Sequence, residues 1–261
     1  MESKWALITG ASSGIGKELA YLHAQKGDNL ILIARNLRSL EEIQQDIEAS
    51  CRVKVLIFSL DLSDNQSPLN LYTEIKHLGI VPDYLINNAG FGQVGYFHEI
   101  PDNVHLNMIN LNVTALTLIT RYFIPDMIKK GGGRILLVSS TASLLPGPKQ
   151  AVYFATKAYV TSLGYALYQE LKKHGISVTT LLPGATKTDF GRVSGMDKTI
   201  LFATAANAFD VAKAGFEGML KGKRKVIAGL PIYMRVFLPL LPLIPTSVIL
   251  KIVDYLQTPK N

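Results

Sequence analysis

The chain of 261 residues has one cysteine, Cys51, and one tryptophan, Trp5. A lone cysteine cannot close an internal disulfide or build a cysteine metal cluster, which is the usage expected in a reducing cytoplasm. The histidines, His23, His77, His98, His105 and His174, show no H-x-x-x-H or H-E-x-x-H spacing, so no metal site is expected. No charged segment with an apolar core precedes MESKWALITG, so no signal peptide is expected. Apolar runs fall short of the ~20 residues that span a bilayer. The nearest, Val236 to Leu250, is broken by Pro239, Pro242 and Pro245. Charged residues make up only 18% of the chain against 48% apolar, a composition that builds a core and excludes a disordered chain. The net charge of +7 suits a phosphorylated cofactor or an anionic surface. Without a helix or zinc motif that docks on DNA, nucleic acid is not an expected partner.

Short apolar runs alternate with helical periodicity along the whole chain. Strands are expected at Trp5–Ile8, Leu30–Ile33, Val53–Phe58, Tyr84–Ile86, Ile135–Val138, Ser177–Leu181 and Val226–Ala228. Helices are expected over about 16–26, 39–49, 103–129 and 151–174. Near-continuous apolar strands with helical crossovers imply a parallel sheet buried on both faces, and right-handed crossovers make it doubly wound. The fold class is therefore α/β, about seven strands with helices on both sides. No repeat or linker divides the chain.

Between the first strand and the first helix lies Thr9-Gly10-Ala11-Ser12-Ser13-Gly14-Ile15-Gly16. Glycines permit a tight turn and close approach of a pyrophosphate, and the helix start offers free N–H groups. The spacing is G-x-x-x-G-x-G rather than the general G-x-G-x-x-G. The second strand ends Ala34-Arg35, where an NAD site places a carboxylate for the ribose hydroxyls. A guanidinium there binds a 2′-phosphate, which favours NADP(H). A solvated strand-end arginine is the plainer alternative.

Tyr153 and Lys157 are four apart on an expected helix and share a face. A free phenol has a pKa of about 10; a nearby ammonium is expected to lower it toward use as an acid/base. Ser139 and Ser140 close the fifth strand at the carboxyl end of the sheet, where a hydroxyl can hold a substrate oxygen. Asn112, or Asn110, can hold a water or a backbone group from the long helix.

Together these residues resemble the short-chain dehydrogenase/reductase family, in its NADP(H)-preferring single-domain branch. The resemblance covers residues 4 to about 229. It rests on TGASSGIG at 9–16, Asp61-Leu62, NNAG at 87–90, Asn112, Ser140 thirteen residues before Tyr153, Tyr-x-x-x-Lys at 153–157, and Pro183-Gly184. It implies a Rossmann fold and hydride transfer between NADP(H) and a carbonyl/alcohol pair. Tyr153 would be the general acid/base and Lys157 its tuner and a ribose ligand. Ser140 would orient the substrate oxygen, and Asn112 would anchor a relay water. Gly10, Ser12, Ser13, Gly14, Ile15, Gly16, Arg35, Asp61, Leu62, Asn88, Ala89, Gly90, Pro183, Gly184 and Thr188 would surround the cofactor. Ser12, Ser13 and Arg35 are the candidates for the 2′-phosphate, and Asp61 for adenine. Ser139 is a weaker choice than Ser140 by spacing alone. The resemblance also implies a dimer or tetramer.

Residues 1–229 read as the dinucleotide-binding and catalytic domain, and 230–261 as an apolar extension of it. Before the extension lie Lys221, Lys223, Arg224 and Lys225. The extension has three open readings: a cover on the pocket or core, a subunit contact, or a peripheral membrane contact through 221–257. The loop from Thr188 to Ala206 mixes Phe190, Val193, Met196, Leu201 and Phe202 with Arg192, Asp197 and Lys198, which suggests an apolar pocket and a lipophilic substrate. The leading expectation is a cytoplasmic NADP(H)-dependent carbonyl reductase or alcohol dehydrogenase. The alternatives are a membrane-associated reductase of a lipid-like substrate and a non-catalytic NADP(H)-binding regulator.

Overall fold

A computed structural model of the chain describes residues 4–231, 234 and 238–258. Ile232, Tyr233, Arg235, Val236 and Phe237 of the apolar extension lie outside the described residues, as do its last three positions and residues 1–3. Seven strands form one sheet: β1 (Trp5–Thr9), β2 (Asn29–Ala34), β3 (Val55–Ser59), β4 (Tyr84–Asn87), β5 (Gly133–Val138), β6 (Ile176–Pro183) and, after a small separate pair β7 (Thr186–Lys187) and β8 (Ala206–Asn207), β9 (Lys225–Ala228). The order is β3-β2-β1-β4-β5-β6-β9, with every pairing parallel. The expected doubly wound α/β fold is the fold observed.

Period-two alternation sends neighbouring strand residues into opposite layers. Ala6, Ile8, Leu30 and Leu32 face one layer, packed on α1 (Gly14–Gln25), α2 (Leu37–Ser50) and α8 (Ala208–Leu220). Leu7, Ile31 and Ile33 face the other, packed on α3 (Ser67–His77), α5 (Leu116–Lys130) and α6 (Ala151–Leu171). All seven of these strand side chains are fully buried, which is why the strands read as continuous apolar runs rather than alternating ones. α3, α8 and the short α7 (Asp189–Ser194) add to the helices expected from sequence.

The long helix expected over 103–129 is interrupted. It runs as α4 (Asp102–Ile109), a π turn (Asn110–Ala115) and then α5. Such wide turns concentrate at functional sites, and here the turn carries Asn112 inward, leaving it 1% exposed. The helix expected to reach His174 ends as an α-helix at Leu171 and adds one 3₁₀ turn, Lys172–His174, before the left-handed Gly175.

The order of strands reverses at β1, between β2 and β4. A crevice at the carboxyl ends of the strands at this switch point is where doubly wound sheets bind ligands. The described part of the extension comes back over that crevice. Its last helix, α9 (Thr246–Leu256), packs Ile249 and Val253 with Met108, Tyr153 and Phe154. The basic cluster sits elsewhere: Lys221 and Lys223 precede the amino end of β9 and Lys225 begins it, whereas the extension leaves its carboxyl end.

Candidate active site

The glycine turn is held by β4. Asn88 donates from Nδ2 to the carbonyls of Thr9 (3.0 Å) and Gly10 (3.1 Å). The backbone N–H groups of Asn88 and Ala89 both donate to the Thr9 hydroxyl at 3.0 Å. Gly10 has φ +67°, and a Cβ at Gly16 would lie 2.2 Å from the Gly10 carbonyl oxygen, so neither position accepts a side chain without moving the turn. The turn therefore keeps its backbone bare beside the first N–H groups of α1.

Asn112 works on the neighbouring segment. Its Oδ1 accepts from the Phe91 N–H (3.0 Å), and its Nδ2 donates to the Phe91 carbonyl (2.9 Å) and to the Thr156 hydroxyl (3.1 Å). The Phe91 backbone is one of the partners expected for it. Asn110 opens the same π turn.

Ser139 and Ser140 divide as their spacing suggests. Ser139 turns to the Lys157 carbonyl (2.8 Å) and the Thr161 hydroxyl (2.7 Å). The Ser140 hydroxyl accepts from the Ala142 N–H (3.1 Å), donates to the Pro183 carbonyl (3.4 Å) and lies close enough to the Tyr153 phenol to favour its phenolate. The Lys157 ammonium donates to the Val138 carbonyl (3.0 Å) and lies 5.8 Å from the Tyr153 ring centroid.

The electrostatics correct one expectation. Burial pushes the Tyr153 phenol up to about 12, against a smaller downward pull from the Ser140 hydroxyl. Burial also pushes the Lys157 ammonium down, to about 8. Tyr153 is thus held protonated. Asp61 lies at the rim, 4.0 Å from the Arg35 guanidinium. Its partial burial raises its carboxyl, but bonds from Ser63 and the Arg35 charge hold it below the usual range.

One cavity of about 760 Å³ gathers these groups. Every residue expected at the site lines it except Gly16, which is packed under Gly10, and Asn112, which lies behind Phe91. Beyond the glycine turn the wall becomes apolar. Phe190, Val193, Met196 and Phe202 line it as expected, while the Leu201 side chain lies outside the described residues. Phe91, Leu145, Phe154 and, from the extension, Leu238, Leu241, Ile249, Val253 and Leu256 add to it. The extension covers the pocket, the first of its three readings. None of its lining positions carries a local motif, so only the general apolar character of 230–256 pointed to them.

The family model for short chain dehydrogenase matches residues 4–198. The chain belongs to the short-chain dehydrogenase/reductase family. It is 34% identical over 196 residues to the very-long-chain 3-oxoacyl-CoA reductase of Rattus norvegicus, covering 73% of this chain and 62% of that protein. A very-long-chain 3-oxoacyl-CoA reductase-like protein of Arabidopsis thaliana is 34% identical over 226 residues, 84% of this chain and 71% of that one. The chain thus spans about three fifths of the length of the rat relative. Among solved structures, a short-chain dehydrogenase from Sphingobium yanoikuyae in complex with NADPH superposes with a TM-score of 0.83 at 28% identity, covering 94% of this chain and 97% of that one. A bulky-bulky ketone specific alcohol dehydrogenase from Comamonas testosteroni gives 0.79 at 26% identity, over 95% and 97%.

The buried ammonium yields a stability prediction. A shift from 10.5 to about 8 penalises the folded state by on the order of 3 kcal/mol. Lys157→Met should therefore be more stable than the native chain at pH 7, less what the lost bond to Val138 contributes. Because the folded pKa is the lower one, the penalty is full below pH 8 and fades as pH rises toward 10.5. Urea denaturation of both proteins at pH 7 and pH 10 should show the gap narrowing; a gap independent of pH would contradict the assignment.

Proposed function

We propose that this protein is an NADP(H)-dependent oxidoreductase that reduces a carbonyl to an alcohol, or runs the reverse reaction, on a lipophilic small molecule. The observation that carries the reading is the meeting of the Tyr153 phenol, the Ser140 hydroxyl and the Lys157 ammonium at the head of an apolar cavity. The residues fit a dinucleotide: the Gly10–Gly16 turn leaves its backbone open, and a Cβ at Gly90 would crowd both Asn112 and Lys157 at 3.0–3.3 Å. The side chain of Arg35, 74% exposed at the end of β2, suits a 2′-phosphate. NADPH supplies the hydride when bound. The relatives and the NADPH-bound neighbour point the same way.

In this reading Ser140 holds the substrate oxygen and Tyr153 gives it a proton. A phenol kept protonated over the physiological range is suited to the reducing direction. Lys157 holds the ribose and a positive charge beneath the phenol, favouring the phenolate as the proton leaves. Asn112 positions the 90–91 backbone beside them. The extension belongs to the same catalytic domain and excludes water from the pocket. The long acyl chain in the relatives' names agrees with the apolar wall.

A second reading, a membrane-peripheral reductase, is favoured by the outer face of the extension. Leu243, Val248 and Tyr255 are 79%, 44% and 67% exposed. Among the described residues no helix is long and apolar enough to cross a membrane, so any contact would be interfacial.

Replacing Tyr153 by Phe should abolish NADPH-dependent ketone reduction while NADPH still binds; unchanged turnover would sink the mechanism. Arg35→Ala should erode the preference for NADPH over NADH by roughly ten- to a hundredfold, the loss of one charge-assisted hydrogen bond of about 1.5–3 kcal/mol. Equal effects on both cofactors would count against the 2′-phosphate role. In liposome flotation the native chain should rise with the vesicles, and a Leu243→Ser/Val248→Ser/Tyr255→Ser variant should stay below; the same distribution for both would remove the membrane reading.

A further inference from the structure

The cavity wall is open on its apolar side as well as at the cofactor rim. Of the exposed side chains that line it, Arg35, Asp61 and Asp189 are charged, whereas Val193, Ile244 and Ile252 are aliphatic and 54%, 37% and 51% exposed. A side chain can line a cavity and face solvent only where the wall is one side chain thick or broken. Phe190 and Ile249 pack with Tyr153 and Phe154, and the Phe190 ring centroid lies 5.4 Å from that of Tyr153. Val193 follows Phe190 by three residues on α7, and Ile252 follows Ile249 by three on α9. Each is thus a neighbour on the same helix face, roughly 5 Å farther along the axis. Ile244 lies just before α9. The aliphatic opening therefore belongs to the elements that close over the Tyr153 ring.

The opening continues into an apolar outer surface. Leu243, beside Ile244, is exposed, and so is Leu240 three residues earlier. The far end of α9 is anchored. The Lys149 ammonium bonds to the Asp254 carboxylate (3.1 Å) and the Thr258 hydroxyl (2.7 Å), and Gln150 Nε2 donates to Gln257 Oε1 (2.5 Å). The opening is thus the flank of a fastened helix rather than a frayed end. The enclosed space is also too small for a long chain. An apolar cavity of about 150 Å³ holds one benzene, so at the same density a cavity of about 760 Å³ holds roughly thirty heavy atoms. A dinucleotide phosphate alone has more. Even with its adenosine end at the open Arg35 rim, the cofactor leaves room for little beyond the reacting end of a substrate.

We propose that Val193, Ile244 and Ile252 rim an exit port through which the apolar tail of the substrate leaves the cavity. This port rests on the oxidoreductase reading of the same cavity and adds a rule of specificity to it: the length of the tail beyond the port is not read. The carbonyl end sits at Ser140 and Tyr153, and the first methylenes are buried beside Phe190 and Ile249. The remainder runs out past Ile244 and Ile252 over Leu240 and Leu243. A bulky or charged group at the far end of a long tail is then accepted, because it stays outside. The same group close to the carbonyl is excluded, because the space there is filled by the cofactor and the apolar wall.

The test uses methyl ketones that carry a sulforhodamine cap on a propyl or a dodecyl spacer, beside the same ketones uncapped, with NADPH oxidation as the readout. For the uncapped series, each methylene inside the cavity should raise kcat/KM by up to about fourfold, and the rise should flatten past the port. The cap should cost the dodecyl ketone less than about threefold in kcat/KM and the propyl ketone roughly a hundredfold. Ile252→Trp, which narrows the port, should lower the ratio of capped dodecyl to uncapped propyl ketone roughly tenfold. If Ile252→Trp fails to fold, as judged by NADPH titration, Val193→Trp carries the same test. Rejection of both capped ketones, or a ratio that the tryptophan leaves unchanged, would overturn the port and leave the oxidoreductase reading intact. If the native chain reduces none of the ketones, anisotropy of the dye in the presence of NADP⁺ replaces turnover. Binding of the capped dodecyl ketone that the uncapped one displaces, and that the tryptophan weakens roughly tenfold, would uphold the port while the redox reading fails. No binding, or binding that the tryptophan leaves unchanged, would overturn it.

Discussion

A buried ammonium is the constraint around which the site is arranged. Lys157 is 4% exposed and finds a carbonyl, Val138, rather than a carboxylate as its direct partner. A charge in that position is costly, and it persists because the surroundings cannot rearrange to release it. Ser139 ties the Lys157 carbonyl to the end of β5, and β5 is itself locked between β4 and β6. The phenol above is buried by the same packing, so the two groups shift in opposite directions, one toward staying protonated and the other toward losing its proton. Such divergence between neighbouring titratable groups is a mark of sites that move protons.

The flanking segments depend on this arrangement. The Asn88 clasp sets the glycine turn against β4, and the Asn112 strap sets residues 90–91 against α6. Both use side-chain amides to satisfy backbone groups that no sheet or helix ladder reaches. The pocket wall is completed from the far end of the chain by α9, whose contact with α6 runs through Lys149, Gln150, Phe154 and Tyr153. The helix that covers the pocket thereby packs directly on the helix that carries Tyr153.

Much of this was legible in the sequence because it is local or periodic. The strands follow from apolar runs, the turn from its glycines, and the Tyr153–Lys157 face from a four-residue spacing. The thirteen-residue interval separated Ser140 from Ser139, and the structure turns the two hydroxyls to different partners. What the sequence withheld depends on contacts between distant residues. The π turn around Asn112 has no composition signal. The Gln150–Gln257 pair joins positions 107 residues apart, and neither glutamine belongs to a motif. The direction of the Tyr153 shift is hidden for a related reason: spacing places the ammonium nearby, but only the packed structure tells how deeply both groups are desolvated.

The central claim is hydride transfer from the nicotinamide to a carbonyl carbon, and isotopic labelling tests it most directly. The native chain would be incubated with NADPH deuterated at both C4 positions and a long-chain ketone, and the alcohol analysed by mass spectrometry. The account predicts an alcohol carrying a single deuterium on its carbinol carbon. Recovery of only unlabelled alcohol, or of unreacted ketone across a panel of chain lengths with NADPH bound, would contradict it.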